Sequence, residues 1–404
     1  MEEDIVIVGA GIAGLSASLG LHRLGLRSLV LESSESLRIT GFALTVWTNA
    51  WKALDALNVG DGLRQRSVQL RRFQLSSLDT GEPAAELSLE KHKFGNYESR
   101  CIKRRDLLET LAKELPQGTI RYSSKVVSIE ESGHFKVVHL ADGCVIRTKV
   151  LIGCDGVNST VGKWLGLSAP VSVGRSAIRG YVEYLDAHNF EPKFHGYFGG
   201  GIRFGFLPCD AKSIYWFCTL SPSTSNWHVD KARSPTQMKE FVLGKLANIS
   251  NEVSDIVAKT NLDLISCADL KMRLPWDILL RDIAKRNLCV AGDALHPMTP
   301  DLGQGGCSAL EDGVIFARCI AESFKKISNE SVDDREMAAI IEEGVQKYAK
   351  YRKWRSFSLI SAARLVGFIQ ESDNKLVSFL REKFLSKYSI ATVIKMSEYD
   401  CGKL

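Results

Sequence analysis

The first switch from polar to apolar residues is abrupt: after Asp4 come Ile5, Val6, Ile7 and Val8, apolar at every position rather than at alternate ones. Such a run suits a strand covered on both faces, so residues 4–8 predict a parallel β-strand. Apolar positions then recur at helical spacing over 12–24, and a second strand-like run follows at 27–31. Together they form a βαβ unit of about thirty residues. Further on, the pattern predicts a helix over 106–115 and strands over 119–129 and 135–140. A turn at Ala141-Asp142-Gly143 leads to Val145, and an apolar strand covers 150–154.

From about residue 170 to 268 the texture changes to alternating runs dense in aromatics, among them Tyr181, Tyr184, Phe194, Tyr197, Phe204, Tyr215 and Trp216. Gly199-Gly200-Gly201 separates two such runs as a hairpin would, and a helix is predicted near 236–249. The opening texture returns as a strand at 288–291 and a helix over 304–324. A polar loop over 329–335 then precedes a long helical stretch over 337–387, which carries Trp354, Phe357, Leu365 and Phe368. No internal repeat or low-complexity segment is present. The expected fold is α/β: a discontinuous Rossmann-type domain over 1–169 and 269–330, an inserted, mainly antiparallel β-sheet substrate domain over 170–268, and C-terminal helices over 331–404.

Composition narrows the classes. The chain has 404 residues, 45% hydrophobic and 25% charged, ordinary for a globular protein. A net charge of +5 is mild, and no Lys/Arg run is interleaved with aromatics, which argues against nucleic acid. The ten cysteines include no Cys-x-x-Cys pair and no neighbouring His cluster, so reduced thiols and no metal site are expected. The first strand begins too early to leave room for a signal peptide, and no apolar run reaches the length of a membrane span. A cytoplasmic protein is the expectation.

Chemistry first shows at Val8-Gly9-Ala10-Gly11-Ile12-Ala13-Gly14, a Gly-x-Gly-x-x-Gly between strand and helix. Gly9 permits a tight turn, Gly11 lets the backbone approach a pyrophosphate, and Gly14 lets the helix pack on the strand. The helix start offers unpaired N–H groups to the phosphates. Glu32 closes the second strand, where a carboxylate would accept the ribose hydroxyls. This motif alone does not separate NAD from FAD. Two later motifs follow strands: Gly153-Cys154-Asp155-Gly156-Val157-Asn158-Ser159, and Gly292-Asp293-Ala294-Leu295-His296-Pro297, the latter trailed by Pro300-Asp301-Leu302-Gly303-Gln304-Gly305-Gly306.

Taken together, and in this order, these motifs resemble the class A flavoprotein monooxygenases, the FAD-dependent aromatic hydroxylases, and within them the plant monooxygenase-1-like and salicylate-hydroxylase-like branch. The resemblance implies FAD as cofactor and NAD(P)H as reductant. It implies that Gly9, Gly11, Ile12, Ala13 and Gly14 cradle the diphosphate and that Glu32 holds the adenosine ribose. Arg38 would lie near the flavin-ring loop Gly41-Phe42-Ala43-Leu44, and Arg104, rather than its neighbour Arg105, would contact FAD. Asp155 would serve FAD and NAD(P)H, Asp293 the ribityl chain, and Gly303, Gly305 and Gly306 the ring. Where the family has an Arg after Asp-Gly-x-x-Ser, this chain has Gly162. Read from the residues alone, Asp155 and Asp293 are equally helix N-caps, and Arg38 and Arg104 solvated charges.

The family's chemistry implies a flavin reduced by NAD(P)H, addition of O2 at its C4a position, and delivery of one oxygen from that hydroperoxide to a small aromatic or isoprenoid-like substrate. Pro300 and Leu302 would be flavin-proximal. No catalytic base is identified; Arg179, Tyr197 and Tyr215 are candidates, with His195, Tyr181 and Tyr184 behind them, and each has an ordinary packing role as its alternative. His296 reads as structural. The long C-terminal helix reads as a strut or dimer contact, its basic residues gathering on no evident face of the sequence. A flavin oxidase or dehydrogenase without oxygen insertion, and a degenerate flavoprotein without catalysis, remain alternatives.

Overall fold

The computed structural model describes the chain except residues 39–40, 90–96, 222–233, 330–331 and 372–385. The apolar opening forms the strand Glu2–Val8, flanked in parallel by Leu29–Leu31 on one side and Val145–Gly153 on the other. Leu288–Val290 adds a further parallel strand beside Val145–Gly153, and Ile120–Arg121 pairs outside Leu29–Leu31. Every residue from Ile5 to Val8 is buried, as a strand between two helical layers must be. The helices Ile12–Arg23 and Gly305–Asn329 pack on this sheet and on each other. Phe135–Leu140 and Val126–Ser132 extend it as an antiparallel ribbon. The strand expected over 119–129 is therefore two strands, broken where Ser123 takes a left-handed φ of 52°.

A second sheet of seven strands runs in the order Ile265–Met272, Val171–Glu183, Ser213–Leu220, Ile202–Asp210, Lys193–Gly199, Arg72–Ser77 and Pro83–Ser88. It is antiparallel except where Lys193–Gly199 lies parallel to Arg72–Ser77. Two of its strands thus come from residues ahead of 170, which local alternation did not assign to it. Gly200 and Gly201, at φ of 54° and 72°, make the expected hairpin. One sheet face packs on the helices Pro235–Lys245 and Asn251–Ala258; the helix expected near 236–249 ends at Lys245, and a second helix starts after Ser250. The other face looks toward the first sheet.

The C-terminal stretch is a helix at Asp334–Glu371, packed on Gly305–Asn329, and a helix at Ser386–Met396. The part of the expected stretch over 372–385 lies outside the described residues. Among the described residues no helix is long and apolar enough to cross a membrane, and no His/Cys/Asp/Glu cluster could hold a metal ion. All ten cysteines are free; Cys101 and Cys209 are buried with their sulfurs 3.1 Å apart.

Candidate active site

Two cavities, of about 620 Å³ and about 510 Å³, meet at Ile12, Arg104, Asp293, Gly305 and Gly306, which line both. The first lies over the carboxyl ends of the parallel strands, where nucleotides bind in open α/β sheets. Its lining includes Gly9, Gly11, Ile12, Ala13, Glu32, Arg38, Asp155 and Asp293, drawn from all three motifs. Gly14 lies beneath: a side chain there would collide with the Gly9 carbonyl, so this glycine sets the helix–strand approach. Gly11 and Gly305 differ, since a Cβ added at either meets nothing within 4 Å. Both border open space at a helix start, a cradle for a bound group.

The carboxylates divide by function. Glu32 is buried and accepts from the Ala10 N–H at 2.8 Å and the Ser34 N–H at 2.9 Å, which bolts the strand end to the glycine turn. Asp155 accepts from the Thr160 N–H at 2.6 Å and from Val161 and Ser159, so it takes the first N–H groups of the short helix Thr160–Trp164, while Ser159, the N-cap, accepts from the Gly162 N–H at 2.7 Å. Burial raises its pKa, and those hydrogen bonds oppose the rise. Asp293 is exposed to both cavities and makes no hydrogen bond among the described residues.

Arg104 is the cation at the junction. It opens the helix Arg104–Lys113 and its side chain lies against Gly41, whose added Cβ would sit 3.3 Å from Arg104 Cδ. Its Nε is buried without a partner, and burial lowers its pKa, with the nearby Arg38 and Arg179 adding to the fall against Asp293. Arg105, one residue on, is exposed and pairs with Glu109 at 3.0 Å. Gly41 and Phe42, at φ of 104° and 44°, form a left-handed bend held where Phe42 stacks on Tyr181. A strained, non-glycine position beside a cavity is a mark of functional sites.

The second cavity is walled by the inner face of the seven-stranded sheet. Ala177, Arg179, Phe194, Arg203, Leu207, Tyr215, Phe217 and Thr219 face it by strand alternation. Pro300, Leu302 and Gly303 form its wall toward the Rossmann sheet. Tyr197 is not brought here: one residue out of phase with Phe194 and Phe198, it lies on the opposite face against Phe204. His195 shares that opposite face, stacked on Phe206. Arg179 forms no hydrogen bond or ion pair among the described residues. Tyr215 is pushed up to about 12 by burial, with Arg179 pulling the other way. Asp301 is fully buried and accepts from both terminal nitrogens of Arg175, at 3.0 and 2.8 Å, with Arg203 at 3.5 Å. Burial would raise its pKa, but the two guanidiniums hold it below the usual carboxylate range.

With this geometry in view, a family profile described as an FAD binding domain matches residues 2–336. Monooxygenase 2 of Arabidopsis thaliana is 50% identical over 404 residues, covering 99% of this chain and 98% of that protein. Monooxygenase 1 of the same plant is 35% identical over 410 residues, covering both chains completely. The chain belongs to the FAD-dependent monooxygenases. Klebsiella pneumoniae HpxO, solved in complex with FAD and uric acid, shares the fold at a TM-score of 0.80 and 22% identity, covering 98% of this chain and 96% of that one. FAD is therefore the cofactor of this monooxygenase, and the glycine-lined space and the unpartnered Arg104 suit a polyanionic dinucleotide.

Beneath the site, the monooxygenase carries a buried charge network that its motifs did not disclose. Arg352, on the helix Asp334–Glu371, donates to Asp312 at 2.5 Å and to Glu311 at 2.8 Å. Arg355 also donates to Glu311, and Asn49 bridges Glu311 to Gln304 at the helix start. Asp312 further accepts from the Gly292 N–H and from His296 at 2.7 Å, placing His296 in a structural role. Sequence reading also missed Trp47, Phe73, Arg175 and Arg203. Asp301 and Gln304 had a visible signal, as polar residues inside the glycine-rich motif, and so had Glu311 and Asp312 in the Ala309-Leu310-Glu311-Asp312-Gly313 run that follows it.

Proposed function

We propose that the monooxygenase uses NAD(P)H and O2 to hydroxylate or epoxidise a small aromatic or isoprenoid-like compound bound in the aromatic-walled cavity. The observation that carries this reading is the junction: the space over the glycine motif opens into the aromatic cavity beside Arg104, Asp293, Gly305 and Gly306. In the net reaction one oxygen atom enters the product, the other leaves as water, and the reductant supplies a hydride with one proton from solvent. FAD, when bound, supplies the electron storage that joins hydride donor to O2.

The chain's own residues supply binding, orientation and a dry pocket. Gly9, Gly11, Ile12 and Ala13 would hold the diphosphate, with Gly14 beneath them setting the helix–strand approach rather than touching it, Glu32 the ribose, Arg104 and Arg38 the negative charge, and Asp293 the ribityl hydroxyls. Gly303, Gly305 and Gly306 would let the ring lie against backbone, with the start of Gly305–Asn329 favouring negative charge there. Pro300 and Leu302 would face the reacting side. Phe73 and Phe194, stacked on each other at 4.0 Å, would form with Phe217 one aromatic wall against a planar substrate and exclude water. Tyr215 stays protonated at neutral pH and would donate to a substrate oxygen, while Arg179 would attract an acidic or phenolate group. Asp155 would act through the segment it caps.

The test incubates purified yellow protein with NADPH or NADH, isotopically heavy O2 and panels of phenols, indoles and isoprenoids, read by mass spectrometry. A product heavier by one labelled oxygen supports the proposal. Hydrogen peroxide with no oxygenated product would identify an oxidase. Protein that binds no FAD would identify a non-catalytic relative.

A further inference from the structure

The outer face of the helix Asp334–Glu371 carries an apolar stripe that the active site does not use. Tyr351, Trp354, Phe357, Ser361, Leu365 and Phe368 recur at three- and four-residue spacing, so they share one face over about 25 Å. Trp354 is 65% exposed and Phe368 62%, far from the usual fate of such side chains. The helix Pro275–Leu280 widens the stripe with Trp276 at 61% and Leu280 at 84% exposure. Ring contacts join the two elements: Trp276 lies 6.1 Å from Phe357, and Trp354 lies 5.3 Å from Phe357.

Charge decides what this face meets. From Glu343 to Glu371 the sequence contains no acidic residue between the two; the basic residues are spread around the helix, but Lys350 and Arg364 fall on the stripe side, and Lys347 beside them is paired with Glu322 of Gly305–Asn329. Lys350 and Arg364 form no ion pair among the described residues, and Lys353 reaches across to the Arg281 carbonyl at 3.2 Å. Asp277 is consumed by Arg273 and Arg281, which leaves Asp282 as the exposed acid of that corner. A second copy docking here about a two-fold axis would set two cations per copy, Lys350 and Arg364, against the single exposed Asp282 of that corner, leaving positive charge unanswered. A lipid surface supplies both missing parts, acyl chains for the rings and anionic headgroups for the cations, and Trp favours that boundary.

We infer that the stripe formed by Trp276, Leu280, Trp354, Leu365 and Phe368, with Lys350 and Arg364, is a docking surface for an anionic membrane. The monooxygenase lies on the bilayer along Asp334–Glu371 without spanning it.

The test uses the FAD-loaded enzyme with vesicles of phosphatidylcholine alone or mixed with phosphatidylserine. Sedimentation with the mixed vesicles is expected, with weaker binding as salt rises. Brominated acyl chains are expected to quench Trp fluorescence. The double variant Trp354→Glu/Phe368→Glu is expected to bind at least about tenfold more weakly, with unchanged FAD content and unchanged NAD(P)H oxidation in the absence of vesicles. Wild-type enzyme that stays in the supernatant with mixed vesicles at low salt would overturn the inference. So would a wild-type dimer in ultracentrifugation that the double variant dissociates, since a second copy would then own this face.

Discussion

At the scale of single residues, Arg104 offers the sharpest separation of binding from folding. Its Nε is buried without a partner among the described residues, and burial of the cation beside Arg38 and Arg179 is offset only by Asp293, which costs stability until an anion arrives. Arg104→Met should therefore leave the apoprotein at least as stable, while FAD affinity drops about ten- to a hundredfold, the worth of a charge-assisted hydrogen bond. Flavin fluorescence titration beside apoprotein melting reads both halves. His195 supplies a pH prediction. Burial, then Lys193, pushes its pKa from 6.5 down to about 3. The unfolded chain takes up a proton as pH falls through the ordinary value while the fold refuses it, so the stability is full above 6.5 and is lost toward 3. His195→Phe should remove up to about 1.4 kcal/mol per pH unit of that slope in urea unfolding. Residue identity was partly legible in the sequence. Arg104 could be preferred over Arg105 from its motif, but Tyr197 could not be placed, because one step of strand register moves a side chain to the other sheet face.

At the scale of elements, the joint between Gly305–Asn329 and Asp334–Glu371 rests on Arg352, Glu311 and Asp312, all fully buried. Arg352→Met should leave buried Asp312 without a guanidinium, Glu311 keeping only Arg355, and destabilise the fold by about 3–5 kcal/mol. Chemical denaturation checks this, and Arg352→Lys should recover only part, since a single ammonium cannot match the fork between two acids. Strongly patterned elements were legible: the buried opening strand, the helix after the glycines, and the hairpin at Gly199–Gly201. Less so were joints. The short Ile120–Arg121 gains strand status from pairing with Leu29–Leu31, a long-range event that local alternation does not carry. Likewise Arg72–Ser77 joins the second sheet by a parallel pairing with Lys193–Gly199, more than a hundred residues later.

At the scale of the whole molecule, the two cavities belong to different sheets, and only their meeting makes one site. The motifs foretold the first cavity because phosphate-binding turns are local in sequence. The second is assembled from side chains on separate strands, so Trp47, Arg175 and Arg203 did not announce themselves, and of that cluster only Asp301 lay in a motif. The junction itself can be tested at Gly305, where an added Cβ meets nothing within 4 Å and the position opens a helix. Gly305→Leu fills the passage with a side chain that favours helix, so apoprotein stability should stay within about 0.5 kcal/mol or rise. FAD should no longer bind. Wild-type protein at a hundredfold excess of FAD over its dissociation constant gains about 2.7 kcal/mol, and the variant should show no such gain by melting. Gly305→Ala, which adds one methyl to the same space, should keep part of it. If the leucine variant instead binds FAD as wild type does, the dinucleotide does not pass this point, and the aromatic cavity is not where its ring end meets a substrate.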